Sequence, residues 1–194
     1  MNGSGISILG GPVGSAARDV PALVQLERYW RSLAGAGRRP ARHDIDPARI
    51  EAVLPWAFLI EKQPGALRMR VAGRALSGWL GAEARGADFG DLFAPASRHR
   101  LAGCVATAFG APALVACPVA IGRSPGHAPR EGRLLLLPLR DAGGTQLLGA
   151  LAIDGPAQAI PGGIHLGPAE RIEPLRPARA RSGRPELRLV VDNA

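Results

Sequence analysis

Apolar residues first fall into a helical period at Leu23, Leu26, Tyr29, Trp30 and Leu33, a single stripe that predicts an amphipathic helix ended by Gly35 and Gly37. A polar connector, residues 38–46, follows. Asp46-Pro47 then predicts the start of a second helix, because an Asp side chain accepts a free backbone N–H at a helix start and Pro suits the first helical position. Ile50, Val53 and Leu54 supply its apolar face, and Pro55 stops it. The period then changes to two. Residues 57–63 and 67–72 are short apolar runs around Pro64-Gly65-Ala66, which predicts a hairpin. Leu67, Met69 and Val71 alternate with Arg68, Arg70 and Ala72, giving that strand one wet face. Short helical pieces over 74–80 and 88–93 are broken by Gly81 and Gly86. Leu101, Cys104, Val105, Ala108 and Phe109 form the clearest helical stripe and predict a helix over 96–109, ended by Gly110 and Pro112. Strands over 113–121, 132–140 and 146–154 complete the pattern, with a loop over 122–131 and a hairpin turn at Asp141-Ala142-Gly143-Gly144.

Antiparallel hairpins with helices gathered between them predict an α+β fold. The expected architecture is a five-stranded antiparallel sheet with helices on one face, an N-terminal helix before it and an extended C-terminal tail. Residues 1–20, rich in Gly and Ser, read as a disordered leader; 21–154 form the domain; 155–194 form a tail rich in Pro, Gly and Arg. Within that tail, residues 186–191 (ELRLVV) are a last strand candidate, able to pair with this chain's sheet edge or a partner's.

Composition sharpens the picture in three places. Hydrophobic residues make up 46% of the chain but aromatics only 4%, so the core is built mainly from Leu, Val, Ile and Ala. The net charge of +8 comes almost wholly from arginine, with Lys62 the only lysine. Guanidinium forks suit oxyanions, but these arginines are scattered, and aromatics for stacking bases are lacking beyond the core, so a nucleic-acid partner is not expected. Cys104 and Cys117 have no metal-type partners at ligand spacing, which predicts buried, reduced thiols and no metal site. The N-terminus lacks the charged and apolar regions of a targeting signal, and no stretch approaches the ~18 apolar residues of a membrane span. A cytoplasmic protein is expected.

Catalytic motifs are missing. No Gly-x-Ser-x-Gly stands between a strand and a helix, and His43, His99, His127 and His165 are dispersed with no His-Glu-x-x-His pair. Gly10-Gly-Pro-Val-Gly14 follows no strand and lacks the lysine of a phosphate loop. A non-enzymatic role is expected.

Several stretches carry a family resemblance. They are Leu26-Glu-Arg-Tyr29-Trp30, then Arg39-Pro40-Ala-Arg42-His-Asp44-Ile45-Asp46-Pro47, Ile50, Leu54-Pro55, Phe58-Leu59 and Arg70-Val71-Ala72-Gly73. Leu80-Gly81, Gly86-Ala-Asp-Phe-Gly-Asp-Leu92-Phe93 and the terminal Leu187-Arg-Leu-Val-Val-Asp192 complete the set. The chain resembles an alphaproteobacterial PAS-type family over about 23–154 and the final strand, the run from Arg39 to Pro47 being the most specific part. The resemblance implies a PAS fold and a sensor or adaptor role: binding a small molecule or a signalling protein and passing the signal on, commonly as a homodimer. No kinase, cyclase or DNA-binding region follows the domain, so the expected output is a partner protein.

In PAS domains ligands sit between the long helix and the sheet. Here Cys104, Val105, Ala108 and Phe109 would face Val115, Cys117, Val119 and Ile121 across that interior, either around a ligand or as a fully packed core. Tyr29 and Trp30 are candidates for a dimer seam or for core packing. Arg39 and Arg42, with Asp44 and Asp46, form either a partner surface or a salt-bridged connector capped by Asp46. Arg98, His99 and Arg100 open the long helix, and His99 raises haem as an alternative. No cofactor is required by the sequence, and the cysteine motif of flavin photosensors is not evident. The remaining alternatives are a haem or flavin sensor and a basic nucleic-acid accessory protein.

Overall fold

The first apolar stripe becomes α1, Pro21–Ala34, which buries Leu23, Leu26, Trp30 and Ala34 along one side. The computed structural model describes residues 21–34, 38–110, 112–122, 129–141, 143 and 145–175. The expected leader 1–20, Gly35 and Gly37, most of the 122–131 loop, two residues of the 141–144 turn and the 186–191 strand lie outside them. After α1, the connector leads to 3₁₀ turns at Arg42–Asp44 and Pro47–Val53. The second of these stands where a helix was expected. Asp46 caps it as predicted: its Oδ1 accepts from Ala48 N at 3.0 Å.

The hairpin pairs β1 (Ala57–Gln63) with β2 (Ala66–Ala72), and Gly65 takes a left-handed φ of 73° at the turn. α2 (Arg74–Leu80), a 3₁₀ turn (Phe89–Leu92) and α3 (Pro95–Gly110) follow. β3 (Ala113–Ile121), β4 (Arg130–Pro138) and β5 (Gln146–Ile153) then complete a sheet in the order β2-β1-β5-β4-β3. β4 starts and stops two residues earlier than its apolar run suggests. Arg130 pairs with Ile121, whereas Arg140 leaves the ladder and donates its N–H to Pro40 O at 2.8 Å, tying the connector to the sheet.

The sheet is apolar on both sides. Leu134 and Leu136 of β4 face one core, with Phe58, Ile60, Leu76, Phe89 and Leu101; Leu135 and Leu137 face the other, with Leu26, Trp30, Ile50, Val53 and Leu148. A strand buried on both sides reads as a continuous apolar run, as Leu134–Leu137 does. α2, α3 and the 89–92 turn cover the first side, as expected; α1 and the 47–53 turn cover the opposite one. The close approach of Gly149 to Phe58 fixes the register: a Cβ at position 149 would lie 2.4 Å from Phe58 Cζ.

The expected tail contains structure that the apolar pattern did not announce. Residues 155–163 cross α2, with Ile160 N donating to Trp79 O at 3.0 Å. β6 (His165–Leu166) and β7 (Arg171–Pro174) then pair with the outer edge of β3, giving a seven-stranded sheet among the described residues. Ile164 (0% exposed) and Leu166 (2%) are core residues, so the packed unit extends to at least residue 175.

The cap gives a first prediction. Asp46→Ala leaves the Ala48 N–H without its acceptor and is expected to cost about 1 kcal/mol, read as a thermal midpoint lowered by a few degrees. A midpoint equal to that of the parent chain would show that the cap contributes nothing.

Candidate functional site

The residues of the predicted interior set belong to one buried cluster. Cys104, Val105 and Ala108 of α3 are buried against Val115, Cys117 and Val119 of β3, with Phe109 half-buried at the margin and Ile121 in the same cluster. The two sulfurs lie 3.5 Å apart. In the same cluster Phe89 packs between Phe58 (tilted, centroids 4.5 Å apart) and Phe93 (edge-to-face, 5.3 Å). Among the described residues the indole Nε1 of Trp79 on α2 is buried in this core with no hydrogen-bond partner.

The open space lies beside this interior. α3 rests on β3, β4 and β6, and beside it the turn end of the β1–β2 hairpin is only part-buried, at Ala66 and Leu67. Between them runs a groove of about 490 Å³. Leu101, Ala102, Val105 and Ala106 of α3 form one wall, Ala66 and Leu67 of β2 the other. Polar groups gather at its rim. Asp88 is already engaged, its Oδ1 accepting from Gly90 N at 2.8 Å and its Oδ2 from Leu67 N at 3.3 Å. Arg98 pairs with Asp91 at 3.6 Å. Lys62 is exposed at the mouth and makes no ion pair among the described residues. An apolar floor with few polar anchors is the ordinary make-up of a small-molecule site. Of the predicted pocket residues, Val105 alone lines this groove. The isolated lysine and the small Ala102 and Ala106, one helical turn apart, were the available signals for the rest.

The predicted partner surface divides. Trp30 is 0% exposed, and its Nε1 donates to Pro138 O at 3.3 Å; it is a core residue and no part of a surface in this chain. Tyr29 works locally: its hydroxyl accepts from Asp46 N at 2.7 Å and donates to Asp44 O, pinning the connector. Asp44 Oδ2 accepts from Ala41 N at 2.7 Å within the same turn. Arg39 is half-buried and Arg42 exposed, and neither forms an ion pair among the described residues, so the connector is held by caps and backbone bonds rather than by its arginines.

A wider groove of about 880 Å³ between α1 and the outer side of the sheet is lined by Arg28, Arg31, Arg133 and Arg171. It is not a bare cationic surface. Arg31 binds Glu27 at 2.8 Å and Glu173 at 2.6 Å, Arg133 binds Glu170 at 2.6 Å, and Arg171 binds Glu27. The Arg31 guanidinium holds the Glu173 carboxyl below its ordinary range. The Arg31–Glu173 and Arg171–Glu27 pairs join β7 to α1, Arg133–Glu170 ties the residue before β7 to β4, and all compete with any phosphate for the same guanidinium groups. His43, His99 and His165 are exposed, so none of them reaches the interior where a haem iron would be bound. Among the described residues no group of three or more His, Cys, Asp or Glu side chains is placed to hold a metal ion. No helix among them is long and apolar enough to cross a membrane.

A curled antiparallel sheet in the order 2-1-5-4-3, with its helices between the second and third strands and a long helix across the concave side, defines a PAS-type sensory domain. The chain belongs to the PAS domain family, whose model matches residues 18–152. Among curated proteins, none matches it. PAS domains serve sensing and signalling generally, and that broad role applies to this chain.

Proposed function

We propose that this chain is a non-catalytic, cytoplasmic PAS sensor or adaptor: a small molecule docks in the groove between α3 and the β1–β2 hairpin, and its occupancy biases contact with a signalling protein or a second copy of the chain. The observation that carries this reading is the groove itself, apolar-floored with polar groups at its rim, between α3 and the hairpin. Its two walls belong to different elements, so a molecule touching both favours the state in which they stand close. Such differential affinity is what lets a ligand shift a conformational equilibrium. Lys62 at the mouth favours a ligand with an acidic group on an apolar body.

Native mass spectrometry of the purified chain, compared with its denatured mass, tests the proposal, and the same spectrum gives the oligomeric state. Additional mass on the folded form is expected. Ala102 is exposed on α3, so Ala102→Trp fills the groove without disturbing the core. That variant is expected to retain at least about ten-fold less ligand, a difference of about 1.4 kcal/mol. A folded parent chain with no additional mass would remove the ligand from the proposal, and the surface alone would then carry the function.

A further inference from the structure

Sequence spacing separates Cys104 from Cys117, but the fold sets them face to face. One lies on α3 and the other on β3, with their sulfurs 3.5 Å apart and no third ligating group beside them among the described residues. A disulfide requires about 2.05 Å between sulfurs, so the two side chains need only a modest rotation, or α3 a slight approach to β3. The sulfurs also differ. Cys104 keeps 8% of its surface exposed, whereas Cys117 has none. Both residues are buried, Cys104 slightly less so, which makes Cys104 the first of the two that a small oxidant entering by local opening would meet.

We infer that Cys104 and Cys117 form a peroxide-oxidisable dithiol, in which Cys104 attacks and Cys117 resolves. The Cys104 sulfur attacks one oxygen of hydrogen peroxide and the O–O bond breaks. The departing hydroxide takes a proton to become water, leaving a sulfenic acid on Cys104. The Cys117 thiol then gives up its proton, its sulfur attacks the Cys104 sulfur, and the S–O bond breaks with loss of a second water. Two thiols and one peroxide become one disulfide and two waters. The surroundings assist this order. The hydrogen bond from the Cys117 thiol brings Cys104 down to about 7, with Arg100 one turn earlier adding a smaller pull and burial opposing both. Cys117 is held protonated, well above the ordinary thiol range, by its bond to Cys104 and by burial. Only the thiolate is the nucleophile, so reactivity concentrates on Cys104.

The product would tie α3, one wall of the groove, covalently to β3, the strand that carries β6 and β7. The inference itself does not depend on any ligand in the groove.

The test treats the reduced full chain with hydrogen peroxide, blocks remaining thiols after denaturation and reads the intact mass and the linked peptides. The expected result is a monomeric chain lighter by two hydrogens, with both thiols unblocked, a Cys104–Cys117 peptide pair, and full reversal by dithiothreitol. In Cys117→Ser, Cys104 is expected to halt at a sulfenic acid captured by dimedone. In Cys104→Ser, Cys117 is expected to stay reduced. Two blocked thiols per parent chain after peroxide, or links only between chains, would overturn the inference whatever the variants do. Equal oxidation of Cys117 in the presence and absence of Cys104 would overturn the order of attack.

Discussion

A chain ended after Asp154 is expected to lose most of its stability and to associate, even though the PAS family match stops at residue 152. The reasons are local and countable. Ile164 and Leu166 are fully buried, and each such side chain contributes about 1.5–3 kcal/mol by leaving water. Together they amount to about 3–6 kcal/mol, against the ~5–15 kcal/mol that holds a typical domain folded. The same cut removes the partners of β3: Leu166 and His165 from Val119 and Ala120, and Arg171–Pro174 from Ala113–Ala116. β3 would become an exposed, apolar edge, the kind of edge that templates pairing with other chains. The ion pairs that hold Glu170, Arg171 and Glu173 to β4 and α1 go with it. Denaturant unfolding of the 1–154 chain beside the 194-residue chain, with light scattering, reads both effects. Equal midpoints and a monomeric short chain would mean that the 155–175 segment decorates the domain without supporting it.

Trp30→Ala is expected to cost about 3–5 kcal/mol, the range for removing a large aromatic side chain from a core. Trp30 sits at the centre of the outer core with Leu26, Val53, Leu137 and Leu148, and its indole N–H satisfies the Pro138 carbonyl at the end of β4. Trp30→Phe retains most of the packing but not the donor, so a smaller loss is expected, on the order of 1 kcal/mol or somewhat more. This pair also separates core packing from a dimer seam. A core residue lowers the unfolding midpoint equally at all protein concentrations. A seam residue shifts the oligomer equilibrium, and its effect on the midpoint varies with concentration. A concentration-dependent loss for Trp30→Ala would return Trp30 to an interface.

Much of the candidate site was legible only in pieces. The α3 stripe identified Leu101 and Val105, and the hairpin identified Leu67, but nothing in their spacing indicates that α3 stops short of β1 and β2. That gap depends on where α2 and the 89–92 turn sit on the same side of the sheet. Cys104 and Cys117 were recognised as buried thiols; their 3.5 Å separation depends on how α3 lies across β3. Trp30 and Tyr29, adjacent in sequence, were read together, yet one enters the core and the other binds the connector, because they point to different sides of α1.

The sequence by itself determined the order of the main helices and strands through residue 154, the Asp46 cap, the turn at Pro64-Gly65 and the apolar material for the core, though not that residues 47–53 wind as 3₁₀. Those features depend on residues a few positions apart, where period, capping and turn chemistry act. Only the tertiary structure decided that α1 covers the opposite side of the sheet, that residues 155–175 belong to the packed unit and that a groove opens between α3 and the β1–β2 hairpin. β6 and β7 are two and four residues long, too short to show a period, and exist because the outer edge of β3 offers them hydrogen bonds and a place to bury Ile164 and Leu166. That stabilisation comes from residues tens of positions away, which no local pattern encodes.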